Sequence, residues 1–251
     1  MDVSVKGADI LYTIPAFGGI PITTTLVNAW LVMVLITFFC IWLTHGMQVH
    51  AKTKRQHVAE LLVTTVTKWI TDNMGTQYTR SAFPPFIAAL FALSVCSSLL
   101  GLFGLYPPTA DLATTVAWSV MVFVMITYMK IKTNKLSGYL KGFTEPVKLL
   151  TPLNIVSELS TPLSMAFRHF GNIASGQVVG ILIYMALLGL NQLIFGWLPG
   201  VLGEALSTIP FTYVGIPAIL SIYFDVFSAF MQAFIFCMLT MNYISLAAEA
   251  D

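Results

Sequence analysis

The sequence predicts an all-α membrane protein. About five helices cross the membrane, an amphipathic helix lies on the cytoplasmic surface, and the last two long helices form a steeply tilted hairpin. Three observations predict this. The 251 residues are 57% hydrophobic and only 9% charged, whereas soluble domains are about 25% charged. Several apolar runs reach the roughly 20 residues needed to cross a bilayer. Ten of the 12 Lys and Arg residues fall in two loops, as the positive-inside rule requires of cytoplasmic loops. A net charge of +1 leaves no footprint for nucleic acid or for acidic substrates.

The elements follow in order within one integral membrane domain, 1–251. Residues 1–23 hold Asp2 and Asp9 and no basic lead into an apolar core, so no secretory signal is expected. The first span, 24–45, is read as a retained helix. Over 52–73, Val58, Leu62, Val66 and Trp69 recur at helical spacing among Lys54, Arg55, Glu60, Lys68 and Asp72. That pattern fits a helix on the membrane surface and equally an ordinary solvated loop helix. Spans at 83–105 and 109–129 are bounded by Pro84-Pro85 and Pro107-Pro108, with Asp111 placed to cap the second at its positive dipole end.

The last two helices, 155–190 and 213–248, are too long to stand upright. Each has 36 residues, about 54 Å at ~1.5 Å per residue, against a hydrocarbon core of about 30 Å. They must kink, at Pro162 and Pro217, or incline steeply against each other. Between them, 191–207 reads as a loop with an apolar belt.

The basic loops are 46–80, with Lys52, Lys54, Arg55, Lys68 and Arg80, and 130–152, with Lys130, Lys132, Lys135, Lys141 and Lys148. The N-terminus is therefore expected outside and the C-terminus in the cytoplasm. Cys40, Cys96 and Cys237 sit inside apolar runs with no metal or disulfide spacing. They read as small packing residues, and neither a metal nor a cofactor is expected.

The long pair carries most of the intramembrane polar chemistry: Glu158, Arg168, His169, Asn172, Ser175 and Gln177 on the first, Asp225, Ser228, Gln232 and Asn242 on the second. Arg168 stands out. A guanidinium at membrane depth costs at least about 2.5–3.5 kcal/mol, and it has no accessible neutral form. It marks either a functional site or a structural ion pair, with Glu158 as the candidate partner. Arg168, Asn172 and Ser175 share one helix face. Gln177 lies nine residues on, about 180° round at ~100° per residue. Polar groups on two opposite sides suggest that one side meets a partner and the other lines a path. Asp225 and Gln232, seven apart, share a face of the last helix. Gly171…Ser175 and Gly176…Gly180 allow close helix approach, a weak signal alone. Isolated His169 reads as an interior residue.

The stretch Phe167-Arg168-His169-Phe170-Gly171-Asn172 resembles the arginine motif of subunit a of the rotary F-type ATP synthases. Gln232-Ala233-Phe234-Ile235-Phe236 resembles that family's second signature. Pro107-Pro108-Thr109-Ala110-Asp111-Leu112 resembles its third-helix entry, and Pro152-Leu153-Asn154-Ile155 the approach to its arginine helix. The match runs in order from about residue 20 to the C-terminus.

The resemblance implies a non-catalytic stator subunit set against a ring of c-subunit hairpins, each with a carboxylate at mid-membrane. Peripheral-stalk b subunits, the rest of the ATP synthase and the lipid bilayer complete the expected partners. Ions enter by one half-channel, neutralise a ring carboxylate, and leave by another after rotation. The ring subunits set most of the choice between proton and sodium.

Arg168 matches the family's essential arginine. A carboxylate about 4 Å from it would gain about 4 kcal/mol at an effective dielectric near 20, enough to drive an arriving ring acid to ionise. Asp225 matches an outer half-channel position that is often titratable and is the expected relay. Gln177 departs from a position that is usually acidic; an amide orients water and does not titrate. Asn172 and Gln232 match polar lining residues, with plain interhelical hydrogen bonds as the alternative for each. His169 stands where the family commonly has leucine. Glu158 and Ser157 are placed towards the cytoplasmic half-channel, although the family acid nearby does not align with Glu158.

Two other classes compete. A secondary transporter would use Arg168 to bind an anionic substrate, but the halves show no internal repeat. An intramembrane hydrolase would pair Ser175 or Ser164 with His169, but no nucleophile elbow or metalloprotease pattern occurs.

Overall fold

The computed structural model describes residues 7–15, 19–48, 53–78, 82–145, 147–195 and 222–249. Five helices are long and apolar enough to cross a membrane. The chain opens with two short antiparallel strands, β1 (Ile10–Ile14) and β2 (Ile20–Thr23), with Thr13 opposite Pro21 and Ile14 opposite Ile20. This hairpin adds to the all-helical expectation. Its β-branched residues suit an extended backbone, but the run is too short to show a period.

Strand β2 feeds directly into α1 (Thr24–Thr44). Thr23 accepts a 3.4 Å hydrogen bond from the Leu26 N–H, satisfying one orphan donor of the first turn. Helix α1 stands at the periphery, with Trp30, Val34, Phe38 and Ile41 exposed. Asn28 Nδ2 ties it to the Tyr106 carbonyl at 2.8 Å.

Helix α2 (Lys54–Met74) is capped by Thr53 and ends at Gly75, whose φ of 93° suits a residue without a Cβ. Gln56, Ala59, Ile70 and Met74 are buried, whereas Val58 and Leu62 are exposed, as a face turned to the membrane surface would be. In the second half, Trp69 stacks on Phe234 at 5.3 Å and Val66 packs on the core. In the first half, Val58, Leu61, Leu62 and Val63 remain uncovered by protein.

The end of α2 joins four further helices in the core: α3 (Phe83–Leu99), α4 (Leu112–Gly142), α5 (Thr151–Phe195) and α6 (Ser228–Ala248). Ile87, Leu90, Val122, Ile126, Met165, Phe236, Met241 and Ile244 meet there. Lipid tails are as apolar as leucine, so close packing and hydrogen bonds hold these helices together. Asp111 caps α4 as expected, accepting from the Ala113 N–H at 3.0 Å. Helix α4 runs on well past the expected end at 129, carrying Lys130, Lys132, Lys135 and Lys141 with it. It breaks direction at Lys135, where φ is 58° and ψ 169°.

Helix α5 is one helix of 45 residues with Pro162 inside it. At ~1.5 Å per residue it measures roughly 68 Å, about twice the hydrocarbon thickness. Its length strengthens the argument for steep inclination. Pro217, the other expected kink, lies outside the described residues, as do 213–221. The last helix is described from a π-helical turn, Ile222–Phe227, that leads into α6.

The Lys135 backbone occupies a region almost reserved for glycine, at a cost of about 1–3 kcal/mol. Lys135→Gly is therefore expected to raise the thermal midpoint of the detergent-solubilised protein, and Lys135→Val to lower it. A lowered midpoint in the glycine variant would show that the break is unstrained.

Candidate functional site

Helix α5 organises the polar residues into two cavities with Arg168 between them. The first cavity, about 380 Å³, is lined by Ser98 and Gly101 of the second span, Tyr106 and Pro107 of the following turn, Ile173 and Gln177 of α5, and Asp225. Gln177 and Asp225, assigned to one path from the sequence, thus share one cavity. Asp225 sits in the π-helical turn. Such turns re-aim side chains and recur at functional sites. Tyr106 was not expected there. Its hydroxyl donates to the Ala110 carbonyl at 3.3 Å. Burial first, and then the Asp111 carboxylate, push its phenol above the ordinary value, so it serves as a donor. The only signal in the sequence was its place beside Pro107-Pro108.

The second cavity, about 330 Å³, lies at the lysine-bearing end. Lys130, Asn134 and Tyr139 of α4 and Asn154, Ser157 and Glu158 of α5 line it. Ser157 and Glu158 therefore share a cavity, as the sequence suggested. Glu158 is ion-paired, but not with Arg168. Lys130 Nζ donates to both of its carboxylate oxygens at 2.7 Å. A short bidentate contact of this kind is a strong charge-assisted pair. Lys130 had been counted only as a topology marker, because its partner is 28 residues away.

Arg168 is exposed and makes no ion pair among the described residues. Its neighbours on either side differ sharply: Ala166 and His169 are buried, while Phe167 is exposed. Along α5, Arg168 is about 15 Å from Glu158 and about 13 Å from Gln177 by helical rise. By helical period its position lies about 180° round α5 from Gln177, and Arg168 does not line the first cavity.

The remaining expected residues are partly brought in. Asn172 Nδ2 donates to Ser228 Oγ at 2.6 Å, so it joins α5 to α6. Of its two readings, the interhelical hydrogen bond is the one observed. Gln232 is 5% exposed, with no partner for its Nε2 among the described residues. It lines neither cavity. His169 is fully buried and meets α3 through Ser94, α4 through Trp118 and α6 through Phe236. The interior reading of His169 holds. Cys237 is buried, as a packing residue should be, whereas Cys40 and Cys96 are exposed on the outer faces of their helices.

Residues 26–245 match the family model described as ATP synthase A chain. The chain belongs to the ATP synthase A chain family. It is 31% identical over 230 residues to the ATP synthase subunit a of Desulforamulus reducens, covering 90% of this chain and 80% of the relative. It is 28% identical over 236 residues to that of Legionella pneumophila, covering 94% and 90%. It is 28% identical over 244 residues to the sodium ion specific subunit a of Propionigenium modestum, covering 90% and 74%. As a member of the ATP synthase A chain family, the chain is a multi-pass membrane subunit of an F-type ATP synthase. It is the ion-translocating stator and does no bond-making chemistry itself. Membership removes the secondary transporter and the intramembrane hydrolase from consideration.

The Asn172–Ser228 bond should couple the two helices measurably. In a double-mutant cycle of Asn172→Ala and Ser228→Ala, followed by unfolding of the solubilised protein, a coupling of about 0.6 kcal/mol is expected. Strict additivity of the two losses would rule the bond out as a clamp.

Proposed function

We propose that the two cavities are the half-channels of the ion path and that Arg168 is the fixed charge dividing them. The c-subunit ring passes on the exposed side of α5. The Gln177–Asp225 cavity opens to the outside and the Ser157–Glu158 cavity to the cytoplasm. The N-terminus lies outside and the C-terminus inside, as the basic loops require. Peripheral-stalk b subunits hold the assembly against rotation. Helix α2 rests on the cytoplasmic membrane surface, its uncovered Val58, Leu61, Leu62 and Val63 turned to lipid.

The observation that carries this reading is the placement of Arg168. It is exposed on one side of α5 and stands between polar cavities at opposite ends. A ring carboxyl nearing Arg168 gives its proton to water in one cavity, because the guanidinium's field stabilises the carboxylate left behind. It regains one only after moving to the other cavity. Because a guanidinium does not relay protons, the short route between the cavities stays closed.

Each residue then has a task. Asp225 takes a proton from the outer water and passes it on. Gln177 orients water across the cavity from it. Asn172 fixes α6 against α5, which keeps Asp225 in register with Gln177. Gln232 supports the buried side of the same contact. On the cytoplasmic side, Ser157 and the Lys130–Glu158 pair keep the exit hydrated and polar. The pair also means that Glu158 does not stand as a lone carboxylate in that path.

Arg168→Lys is expected to abolish ATP-driven pumping in membranes carrying the assembled enzyme, since an ammonium does not reproduce the planar fork. Full coupled pumping in that variant would sink the mechanism. Asp225→Asn should slow passive proton conduction by roughly a hundredfold, in the range of one lost proton-transfer group. Adding Gln177→Glu to it should restore part of that flux, because the two side chains face one cavity. Unchanged flux in Asp225→Asn would exclude an obligatory relay there.

A further inference from the structure

His169 adjoins Arg168 in sequence, yet the half-channel scheme leaves it without a task. Its ring is fully buried and wedged between three helices. Trp118 lies edge-on at 5.7 Å, Phe236 edge-on at 5.5 Å, and Ser94 Oγ is 3.4 Å from Nε2. The other ring nitrogen, Nδ1, has no partner among the described residues. A neutral imidazole carries one donor and one acceptor, so either tautomer leaves Nδ1 wanting. Three more buried polar atoms are orphaned within a turn of these contacts: Ser97 Oγ, Ser119 Oγ and Gln232 Nε2. Each such atom destabilises the packed site if left dry. A packed apolar site would be filled more favourably by leucine. Polar groups gathered in this way are what an internal water requires, with two to four partners each.

The serines of α3 connect this layer to the first cavity. Ser98 lines that cavity, and its hydroxyl bonds to Thr109 Oγ1 and to the Ser94 carbonyl, each at 3.0 Å. One turn further in, Ser94 reaches His169. We propose that Ser98, Ser94 and His169 extend the Gln177–Asp225 cavity inward as a hydrated branch, with His169 holding its innermost water on the buried side of the arginine helix. The inference rests on reading that cavity as a half-channel. His169 acts here as a neutral hydrogen-bonding group. Among the described residues no charged side chain faces it from the other helices: α3 offers Ser94, α4 offers Trp118, and α6 offers Phe236 and the nearby Cys237, whose thiol donates to the Ile87 carbonyl.

The test uses membranes carrying the whole enzyme, stripped of the water-soluble ATPase, with passive proton conductance read per assembled complex. His169→Leu removes the polar ring at similar volume and relieves the orphaned nitrogen, so assembly should be unimpaired. Conduction should fall roughly tenfold, the barrier equivalent of one lost hydrogen bond to water. His169→Asn keeps a donor and an acceptor and should retain most of the flux. That split between variants at equal assembly is not expected of a residue that only packs. Wild-type conduction in His169→Leu, or equal losses in the two variants, would overturn the proposal. Should His169→Leu fail to assemble, Ser94→Ala cuts the same link with little change of volume, and normal flux in it is equally fatal. Asp225→Asn measured alongside separates the two ideas. Normal flux there defeats the half-channel reading itself, whereas slowed flux with normal His169→Leu defeats only the branch.

Discussion

A guanidinium at membrane depth that makes no ion pair among the described residues is the constraint on which the rest of the structure depends. The expense of that charge, at least about 2.5–3.5 kcal/mol, is not met by Glu158, the nearest acid along α5. Lys130 holds that carboxylate with two 2.7 Å contacts. Arg168 is left exposed on the outer side of the helix, facing away from the bundle. On the proposed reading, the acid that meets this charge comes from the passing ring.

The other features follow from holding that charge still while leaving ions a way around it. Helix α5 is far longer than the membrane is thick, which favours an inclined course, and along it Arg168 lies between residues lining two polar cavities. Its buried side is locked by Met165, Ala166 and His169, and by the Asn172–Ser228 bond. Those contacts fix the helix rotation, and the rotation fixes which way Arg168 faces. Polar groups on the opposite side line the outer cavity. On the proposed reading, one helix separates the charge that drives release from the water that supplies the ion.

Much of this was legible in the sequence because it rests on period and length. Five spans follow from apolar runs, the Asp111 cap from its place after Pro107-Pro108, and the opposition of Arg168 and Gln177 from helical geometry. The meeting of Gln177 with Asp225 followed from the family motifs. What stayed hidden depends on long-range contact. The Lys130–Glu158 pair joins two helices 28 residues apart, and no spacing rule reveals it. The docking of α2 on the bundle through Val66, Trp69, Ile70 and Met74 also stayed hidden, because its apolar pattern mixes residues facing protein with residues uncovered by it. The N-terminal hairpin is too short to show a period. The polar layer around His169 draws single residues from four helices and exists only once they are packed.

The account's central claim is that opposite sides of α5 have different neighbours, the ring on one and the outer cavity on the other. Disulfide cross-linking to single cysteines on the ring hairpin tests it directly, in an enzyme whose native Cys40, Cys96 and Cys237 have been replaced. Ser175 is exposed and seven residues from Arg168, on its face, whereas Ile173 lines the cavity. Cross-links from Ser175→Cys and none from Ile173→Cys are expected. The reverse pattern, with Ile173→Cys bridging to the ring and Ser175→Cys silent, would contradict the account.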